Sequence, residues 1–302
     1  MKVRSIFILF MFFLYLFDLP AQNSANSSTD VTYIESSYFL SDLGFASDAV
    51  FMGRVDSIPA PYLFPSFTYF NKSGFFASTS LSFLTKKDEQ RVDLIWLSAG
   101  YMYDKKKFST GISATAYLYS DYSYNVQSQM LGAIWAYVAY DFKIVNLTLT
   151  GSSNFTKDGE VDFFTGAILD HAFFALDSSL IIAPGISLYG GTQNFYEQYY
   201  NNGSSGKPMG NGGSHGSSGQ GGSDSSIYIN EVSKFNILNI ELSLPIQYYY
   251  KSFIFSFTPS YAFPQSPSTF IYGESIVEEE LNNVFYFYVG VGYWFFTNKK
   301  KR

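Results

Sequence analysis

Hydrophobic and polar residues alternate along most of this chain, and a period of two is the pattern of β-strands whose two faces meet different environments. The clearest segment is the last one, 285–295, in which Phe285, Val289 and Phe295 share an apolar face. The opposite face carries Tyr, Gly and Trp residues. An apolar face that ends in aromatic side chains suits a strand that spans lipid. Because open sheet edges do not occur in lipid, such a strand predicts an all-β fold, a closed transmembrane antiparallel β-barrel.

Four further segments show the same alternation. They are 75–83, 144–155, 236–248 and 253–263. In each of them one face is rich in Phe, Leu and Ile, as at Leu238, while the other carries Ser, Thr and Asn with almost no charge. A face exposed to bulk water would normally carry Lys and Glu. We therefore expect the apolar faces to point to lipid and the polar faces to line a narrow, weakly charged lumen.

The connections between the segments alternate between short and long. Short turns are expected at 71–74, 104–107, 142–143, 177–179 and 251–252, and long connections at 53–60, 85–92, 121–129, 156–162, 190–234 and 264–283. Tight periplasmic turns and longer external loops are typical of outer-membrane barrels. The first strand is expected in the stretch 39–52, which Asp42 and Asp48 interrupt. The alternation then gives about 12 strands, with roughly 10–14 compatible with the pattern, and both termini in the periplasm.

The start of the chain predicts export. Lys2 and Arg4 precede the apolar run 6–17, and a small residue follows at Ala21, which is the layout of a secretory signal peptide. The run is shorter than the roughly 17–25 residues that a membrane-spanning helix requires. The chain is therefore divided into a signal peptide (1–21), a periplasmic lead-in (22–37), the barrel (38–296) with a flexible Gly/Ser-rich external loop (203–226), and a basic periplasmic tail (297–302).

Composition narrows the class of protein. Of the 302 residues, 20% are aromatic and 15% are charged, whereas roughly a quarter are charged in soluble proteins. The mean hydropathy of +0.01 is expected when apolar and polar residues alternate. Cysteine is absent, which excludes disulfides, thiolate metal sites and a lipidated Cys. The net charge of −6 excludes the basic surface that nucleic-acid binding requires.

The last segment resembles a known assembly motif. The β-signal of outer-membrane proteins has a polar residue, a Gly two positions later, and two alternating hydrophobic or aromatic residues. These positions are occupied by Tyr288, Gly290, Tyr293 and Phe295, and 296–302 follow. The chain is similar to the outer-membrane β-barrels of Gram-negative bacteria, particularly Bacteroidota-type barrels whose signal peptides end in Ala-Gln. The resemblance implies outer-membrane lipid and lipopolysaccharide as surroundings and the barrel assembly machinery as a partner, but no substrate.

No catalytic site is predicted. The phospholipase and deacylase barrels resemble one another in pairing a His with a Ser two residues along the same strand, but His171 lies between Leu169 and Phe173. The second histidine, His215, lies in the Gly/Ser-rich loop, where nothing fixes its geometry. The acidic run 278–280 is expected to be a solvated loop, because consecutive residues rarely converge on one ion. The sequence thus predicts no enzyme, cofactor or metal.

The polar faces supply candidate lumen-lining residues. Glu241 is the clearest charged one, and Lys and Arg lie almost wholly in loops and turns, so no basic ladder opposes it. The other candidates are Asn146, Thr148, Trp135, Tyr137, Asn239 and Gln247. A twelve-stranded barrel lies between eight-stranded barrels, which their own side chains fill, and sixteen-stranded ones, which hold an aqueous channel.

Two functions follow from such a lumen. The first is a narrow passive porin-like channel for small polar solutes, neutral or weakly cation-preferring. Inward aromatic residues would either block this lumen or form an aromatic surface along which a sugar or nucleoside could pass. The second is a non-conducting barrel that binds through its surface loops or acts as a subunit of an outer-membrane complex. An envelope protein or a second copy of the chain is then the expected partner. We rank the channel first.

Overall fold

The computed structural model describes residues 36–55, 61–121, 123, 125, 127–197, 228–229, 232–272 and 275–297. Its main element is one closed antiparallel sheet of twelve strands, so the predicted fold is confirmed. The strands are β1 (Tyr38–Ala46), β2 (Tyr62–Phe70), β3 (Phe75–Leu84), β4 (Arg91–Lys105), β5 (Phe108–Tyr119), β6 (Met130–Asp141), β7 (Asn146–Thr156), β8 (Val161–Asp170 and Phe173–Ala175), β9 (Leu180–Ile182 and Gly185–Gly191), β10 (Asn236–Ser243 and Ile246–Tyr250), β11 (Phe253–Pro264) and β12 (Val284–Phe296).

Pairing of the first and last strands closes the barrel. β1 lies between β2 and β12, and all nine of its residues pair with β12, from Tyr38 with Phe296 to Ala46 with Tyr288. Each strand therefore has a neighbour on both sides. A sheet without a free edge meets the requirement that lipid imposes on spanning strands.

Side chains alternate between the inside and the outside of the barrel. On β3, Ser78 and Ser80 are buried inside, whereas Phe75 and Leu81 are 61% and 36% exposed on the outside. Large exposed apolar side chains occur on all twelve strands. A continuous apolar surface of this extent is unfavourable in water and matches the hydrocarbon of a membrane.

Long loops and tight turns lie at opposite ends of the barrel, which we call the loop end and the turn end. At the turn end Lys106, Lys143 and Lys251 have positive φ values of 58°, 74° and 56°, which allow the chain to reverse between twisted strands. The expected turns and five of the six expected long connections are present. Three short strands form a separate small sheet at the loop end: Tyr228–Ile229, Thr269–Tyr272 and Ser275–Glu278.

The first long connection differs from the prediction. The stretch 39–52 continues as a strand only to Ala46. Beyond it, Val50–Phe51 pairs with Arg54–Val55 to form a small hairpin, which we call the mouth hairpin (50–55). Val50, Phe51 and Met52 of this hairpin are buried inside the mouth of the barrel and do not extend β1 toward lipid, whereas Val55 at its end is exposed.

A β-bulge moves a residue predicted to face lipid into the lumen. The register between β9 and β10 shifts at Tyr189 and Gly190. As a result Leu238 is fully buried inside the barrel, while Ile237 is 52% exposed outside. The prediction for Leu238 is wrong because an extra residue in one strand changes which face its neighbours occupy.

The interruptions of β8, β9 and β10 come from prolines on adjacent strands. The pairing register continues unchanged across each interruption. The N–H groups of His171, Ala183 and Leu244 donate to the carbonyl oxygens of the prolines opposite, at 3.2, 2.9 and 3.0 Å. These prolines are Pro184, Pro245 and Pro259. A proline has no N–H to return the second bond of an antiparallel pair, so this part of the wall has one hydrogen bond fewer at each step.

Glycines beside the last strand make room for one aromatic ring. A methyl group on Gly44 would collide with the ring of Tyr288, and one on Gly290 would lie 2.8 Å from its hydroxyl. The ring therefore lies flat against the inner wall, and its hydroxyl donates to Asp42 Oδ1 at 3.0 Å. This contact joins β12 to β1 at the closure of the barrel.

Candidate functional site

All seven predicted lumen residues point into the barrel. They differ in burial, from Asn239 and Glu241, which are at most 1% exposed, to Asn146, which is half-buried. Trp135 and Tyr137 stack along β6 with ring centroids 5.1 Å apart. The remaining two are Thr148, on β7, and Gln247, which accepts a hydrogen bond from the Tyr249 hydroxyl at 2.9 Å.

One side of the lumen is open. The inward side chains of β4–β7 are mostly polar, and many are only half-buried although the sheet encloses them. Ser98 and Thr115 share a hydrogen bond of 2.7 Å on this wall. The other half-buried members are Ser113, Trp135, Thr150 and Ser152. Partly exposed side chains inside a closed sheet border space that water can enter.

The opposite side is filled near the turn end. Tyr38 and Phe70 stack with ring centroids 4.8 Å apart, and Tyr249 and Trp294 lie 6.0 Å apart. The same cluster includes Leu40, Phe76 and Ile254. These side chains come from β1–β3 and β10–β12, so the open space in the lumen follows β4–β7.

The charged residues of the lumen are acidic. Besides Glu241, inward carboxylates come from Asp42, Asp104 and Asp170. The sequence analysis missed these three as lumen residues, although counting by twos along each strand would have placed them there. Among the described residues, no Lys or Arg occupies an inward position away from the strand ends. Away from the strand ends, the acidic groups of the described lumen therefore face no Lys or Arg side chain.

The mouth hairpin covers the loop end of the lumen. The ring of Phe51 packs edge-on against Phe164 of β8 and Phe195 of the β9–β10 loop, with centroid distances of 5.3 and 5.2 Å. At its tip, a side chain on Gly53 would lie 2.7 Å from Asn239 Oδ1. The hairpin therefore reaches from β1 and β2 across the mouth to the opposite wall, and hydrophobic contacts hold it there.

A buried ion pair ties the mouth hairpin to two other loops. Arg54 Nη2 lies 3.0 Å from Glu279 Oε2, Nε donates to Oε1 at 3.1 Å, and the side chains are 3% and 10% exposed. Arg54 also donates to the carbonyl of Ser266 at 3.0 Å. Glu279 accepts further hydrogen bonds of 2.8 Å from the Tyr196 hydroxyl and the Ser268 N–H. This bidentate pair with its additional hydrogen bonds is the arrangement in which a buried ion pair is stable.

A second buried carboxylate fixes the β9–β10 loop. Asp162 accepts hydrogen bonds from the Thr192 hydroxyl at 2.6 Å and from the N–H groups of Asn194 and Phe195, both at 2.8 Å. These N–H groups begin the helical turn 194–197. Asp162 thus caps the turn that presents Phe195 to the mouth hairpin.

The histidine excluded as a catalytic residue lies beside the interruption of β8. The ring of His171 packs edge-on against Phe173, with centroids 4.5 Å apart. Its neighbour Asp170 points into the lumen and accepts a hydrogen bond from Asn146 Nδ2 at 2.9 Å. His215 and the Gly/Ser-rich loop around it lie outside the described residues.

The acidic run 278–280 is only partly the solvated loop that the sequence predicts. Glu278 and Glu280 are exposed, but Glu279 is held by Arg54. In the described part of the chain, no three His, Asp or Glu side chains are grouped so that they could hold a metal ion. Within the same residues, no helix has the length and hydropathy needed to cross a membrane.

Known proteins resemble this chain only weakly. The sequence matches no protein-family model and none of the curated proteins. Among solved structures, the KdgM porin is similar with a TM-score of 0.47 and 10% identity over 84% of this chain and 98% of that one. The NanC porin is similar with a TM-score of 0.47 and 11% identity, over 84% of this chain and 98% of that one. LpxR from Salmonella typhimurium is similar with a TM-score of 0.42 and 11% identity, over 86% of this chain and 100% of that one. Likeness at this level carries no argument about the lumen.

Proposed function

We propose that the chain is an outer-membrane protein of the Bacteroidota type that acts as a narrow porin-like channel for small polar solutes. The apolar surface on all twelve strands supports insertion into a bilayer. The signal peptide predicted at 1–21, which lies outside the described residues, would direct export to the outer membrane. Outer-membrane lipid and lipopolysaccharide would surround the barrel.

The open, polar side of the lumen carries the proposal. Hydroxyl side chains of β4–β7 and the ring of Trp135 border this space and are only partly buried inside the closed sheet. A purely structural core would bury these positions with apolar side chains, as the other side of the barrel does. A polar passage beside a packed wall suits small hydrophilic solutes better than large ones.

Planar-bilayer recording tests the channel. The purified, heat-modifiable barrel should give discrete steps of low conductance. Thr115→Trp, which fills the open side, should reduce the step size by at least about half. Ala114→Trp is the matched control, because Ala114 is the exposed neighbour on the outer face and its substitution should leave the conductance unchanged. A silent bilayer containing folded protein would refute the channel.

A non-conducting barrel is the second candidate, and the mouth hairpin favours it. Hydrophobic contacts and the Arg54–Glu279 pair keep the hairpin across the mouth. A barrel closed permanently in this way would present its loops to an envelope protein or to a second copy of the chain. Silent bilayers with both the wild-type protein and a variant lacking the Arg54–Glu279 pair would favour this candidate.

The last strand is proposed as the contact for the barrel assembly machinery. Tyr293 and Phe295 are 43% and 41% exposed on the outer face, while Tyr288 and Gly290 lie inside. The motif thus presents one aromatic pair outward and one tyrosine inward. Replacing Tyr293 and Phe295 together by Ala should slow assembly in cells without preventing refolding in detergent.

A further inference from the structure

Four lysines gather on two neighbouring turns at the turn end of the barrel. Three of them, at 105–107, lie at the β4–β5 turn, and Lys143 lies in the β6–β7 turn. The N–H of Asp141 donates to the carbonyl oxygen of Lys107 at 2.8 Å, so the two turns lie side by side. We call this region the turn-end patch (105–107 and 140–144).

Acidic and basic side chains of this region point to different sides of the wall. Asp104 and Asp141 occupy inward positions on β4 and β6. Lys105 pairs with Phe108, which is 38% exposed on the outer face. Among the described residues, all four ion pairs lie at the loop end, and none of them includes a lysine of the turn-end patch. The ammonium groups of the patch are therefore available to an anion outside the protein.

One ammonium group of the patch lies over a ring on the outer face of the barrel. Lys107 Nζ is 6.0 Å from the centroid of Tyr140, which is 41% exposed, and the Tyr140 ring lies 4.7 Å from that of Phe142. The same arrangement recurs at the β10–β11 turn, where Lys251 Nζ lies 5.1 Å from the centroid of Tyr250. Outward tyrosines mark the membrane–water interface of a barrel. These ammonium groups therefore lie at the level of the lipid head groups.

Apolar side chains at the tip of the patch favour contact with a membrane over contact with water. Ile144 is 84% exposed, more than any other large apolar side chain among the described residues, and Phe142 is 53% exposed. Leaving such side chains in bulk water is unfavourable, whereas the boundary between head groups and acyl chains accepts them. Lysines beside an apolar tip add electrostatic attraction to anionic lipids.

We propose that the turn-end patch binds the phosphate groups of anionic phospholipids in the leaflet at the turn end, which is the periplasmic leaflet in the predicted topology. The four ammonium groups would donate hydrogen bonds to phosphate oxygens. Tyr140 would hold Lys107 at the depth of the head groups, and Ile144 would contact the adjoining acyl chains. A position beside lipid-facing rings favours a lipid over an acidic protein as the partner. The proposal holds whether or not the barrel conducts.

Lipid retention tests the patch. The refolded, heat-modifiable barrel is extracted from mixed phosphatidylcholine and phosphatidylglycerol bilayers, and native mass spectrometry counts each lipid that remains bound. The wild type should prefer phosphatidylglycerol, and high salt should abolish the preference by screening. The variant Lys105→Gln/Lys106→Gln/Lys107→Gln/Lys143→Gln should reduce it at least about fivefold, the effect of a single Lys near an anionic surface. The charge-matched control at the loop end, Lys86→Gln/Lys87→Gln/Lys157→Gln/Lys234→Gln, should leave it unchanged. Equal retention by the wild type and the turn-end variant, or an equal loss in both variants, would overturn the proposal.

A single substitution keeps the test decisive if the fourfold variant fails to fold. Tyr140→Leu preserves the charge and the apolar surface but removes the ring beneath Lys107, and it should lower the preference for phosphatidylglycerol by about two- to fivefold. Tyr103→Leu is the matched control, because Tyr103 is 38% exposed on the outer face at the same end. Equal retention by these two variants would contradict the role of the Tyr140 ring. A wild-type barrel that retains no phosphatidylglycerol, but loses a co-purifying envelope protein when the lysines are replaced, would overturn lipid binding and assign the patch to a protein contact.

Discussion

The buried carboxylates at the mouth of the barrel and the buried serine hydroxyls on the wall formed by β7–β11 differ in their hydrogen bonding. At the mouth, both carboxylate oxygens of Glu279 and both of Asp162 accept hydrogen bonds from side chains and N–H groups of the protein. On the β7–β11 wall, the hydroxyls of Ser187, Ser243 and Ser260 have none within the protein. Polar groups that are fully hydrogen-bonded hold a structure together, whereas a buried polar group without a partner lowers stability. The buried carboxylates of the mouth therefore stabilise the fold, whereas the three hydroxyls of the wall do not.

The largest expected effect is the loss of stability of the closed mouth in the variant Arg54→Ala. This change leaves Glu279 buried without its counter-charge, which should destabilise the closed mouth by about 3–5 kcal/mol. Amide hydrogen exchange in the mouth hairpin should accelerate, and single-channel conductance should rise. Lys86→Ala is the control, because its ion pair with Glu89 is partly exposed and contributes about 0–1 kcal/mol. Unchanged exchange in Arg54→Ala would show that the ion pair does not hold the hairpin.

A smaller loss is expected from Asp162→Ala. The change removes the cap of the helical turn 194–197 and leaves the N–H groups of Asn194 and Phe195 without their acceptor. We expect a cost of about 2–3 kcal/mol, measured as faster hydrogen exchange in this turn. Exchange in β5 and β6, which Asp162 does not contact, serves as the internal control. Equal acceleration in all these elements would instead indicate destabilisation of the entire barrel.

The closure of the barrel should respond to Gly44→Ala. The added methyl group meets the ring of Tyr288 and forces it away from Asp42, at a cost of about 1–3 kcal/mol in urea unfolding. Gly151→Ala is the matched control, since no atom lies within 4 Å of a methyl group placed there. It should be neutral or slightly stabilising. Equal unfolding midpoints for the two variants would contradict the role assigned to the Tyr288 ring.

The smallest expected effect comes from removing single hydroxyl groups. Ser187→Ala removes a hydroxyl with no protein partner and should not reduce stability in urea. Ser78→Ala breaks the 2.8 Å hydrogen bond with Thr68 and should cost about 1 kcal/mol. A comparable loss in both variants would show that the Ser187 hydroxyl has a hydrogen-bond partner within the protein.

Alternation along the chain was sufficient to predict the strands, because burial of every second side chain leaves a direct trace in the sequence. The lipid-facing side of β12, the inward serines of β3 and the inward position of Glu241 all follow from it. The alternation gave the wrong side for Leu238, because a bulge adds one residue and turns this side chain into the lumen. It also failed beyond Ala46, where apolar residues serve the mouth hairpin instead of a strand.

The amino-acid sequence was enough to predict the closed antiparallel barrel, about twelve strands, the sides of most residues and the scarcity of Lys and Arg on the inward faces. These properties are local, since each depends on residue type and on a period of two. Contacts between residues that are distant in the sequence became known only from the tertiary structure. Arg54 and Glu279 are separated by 225 positions, and Glu241 and Tyr286, which share a buried hydrogen bond, are separated by 45. Such contacts depend on the register between strands and on the path of the loops, which alternation within one strand does not contain.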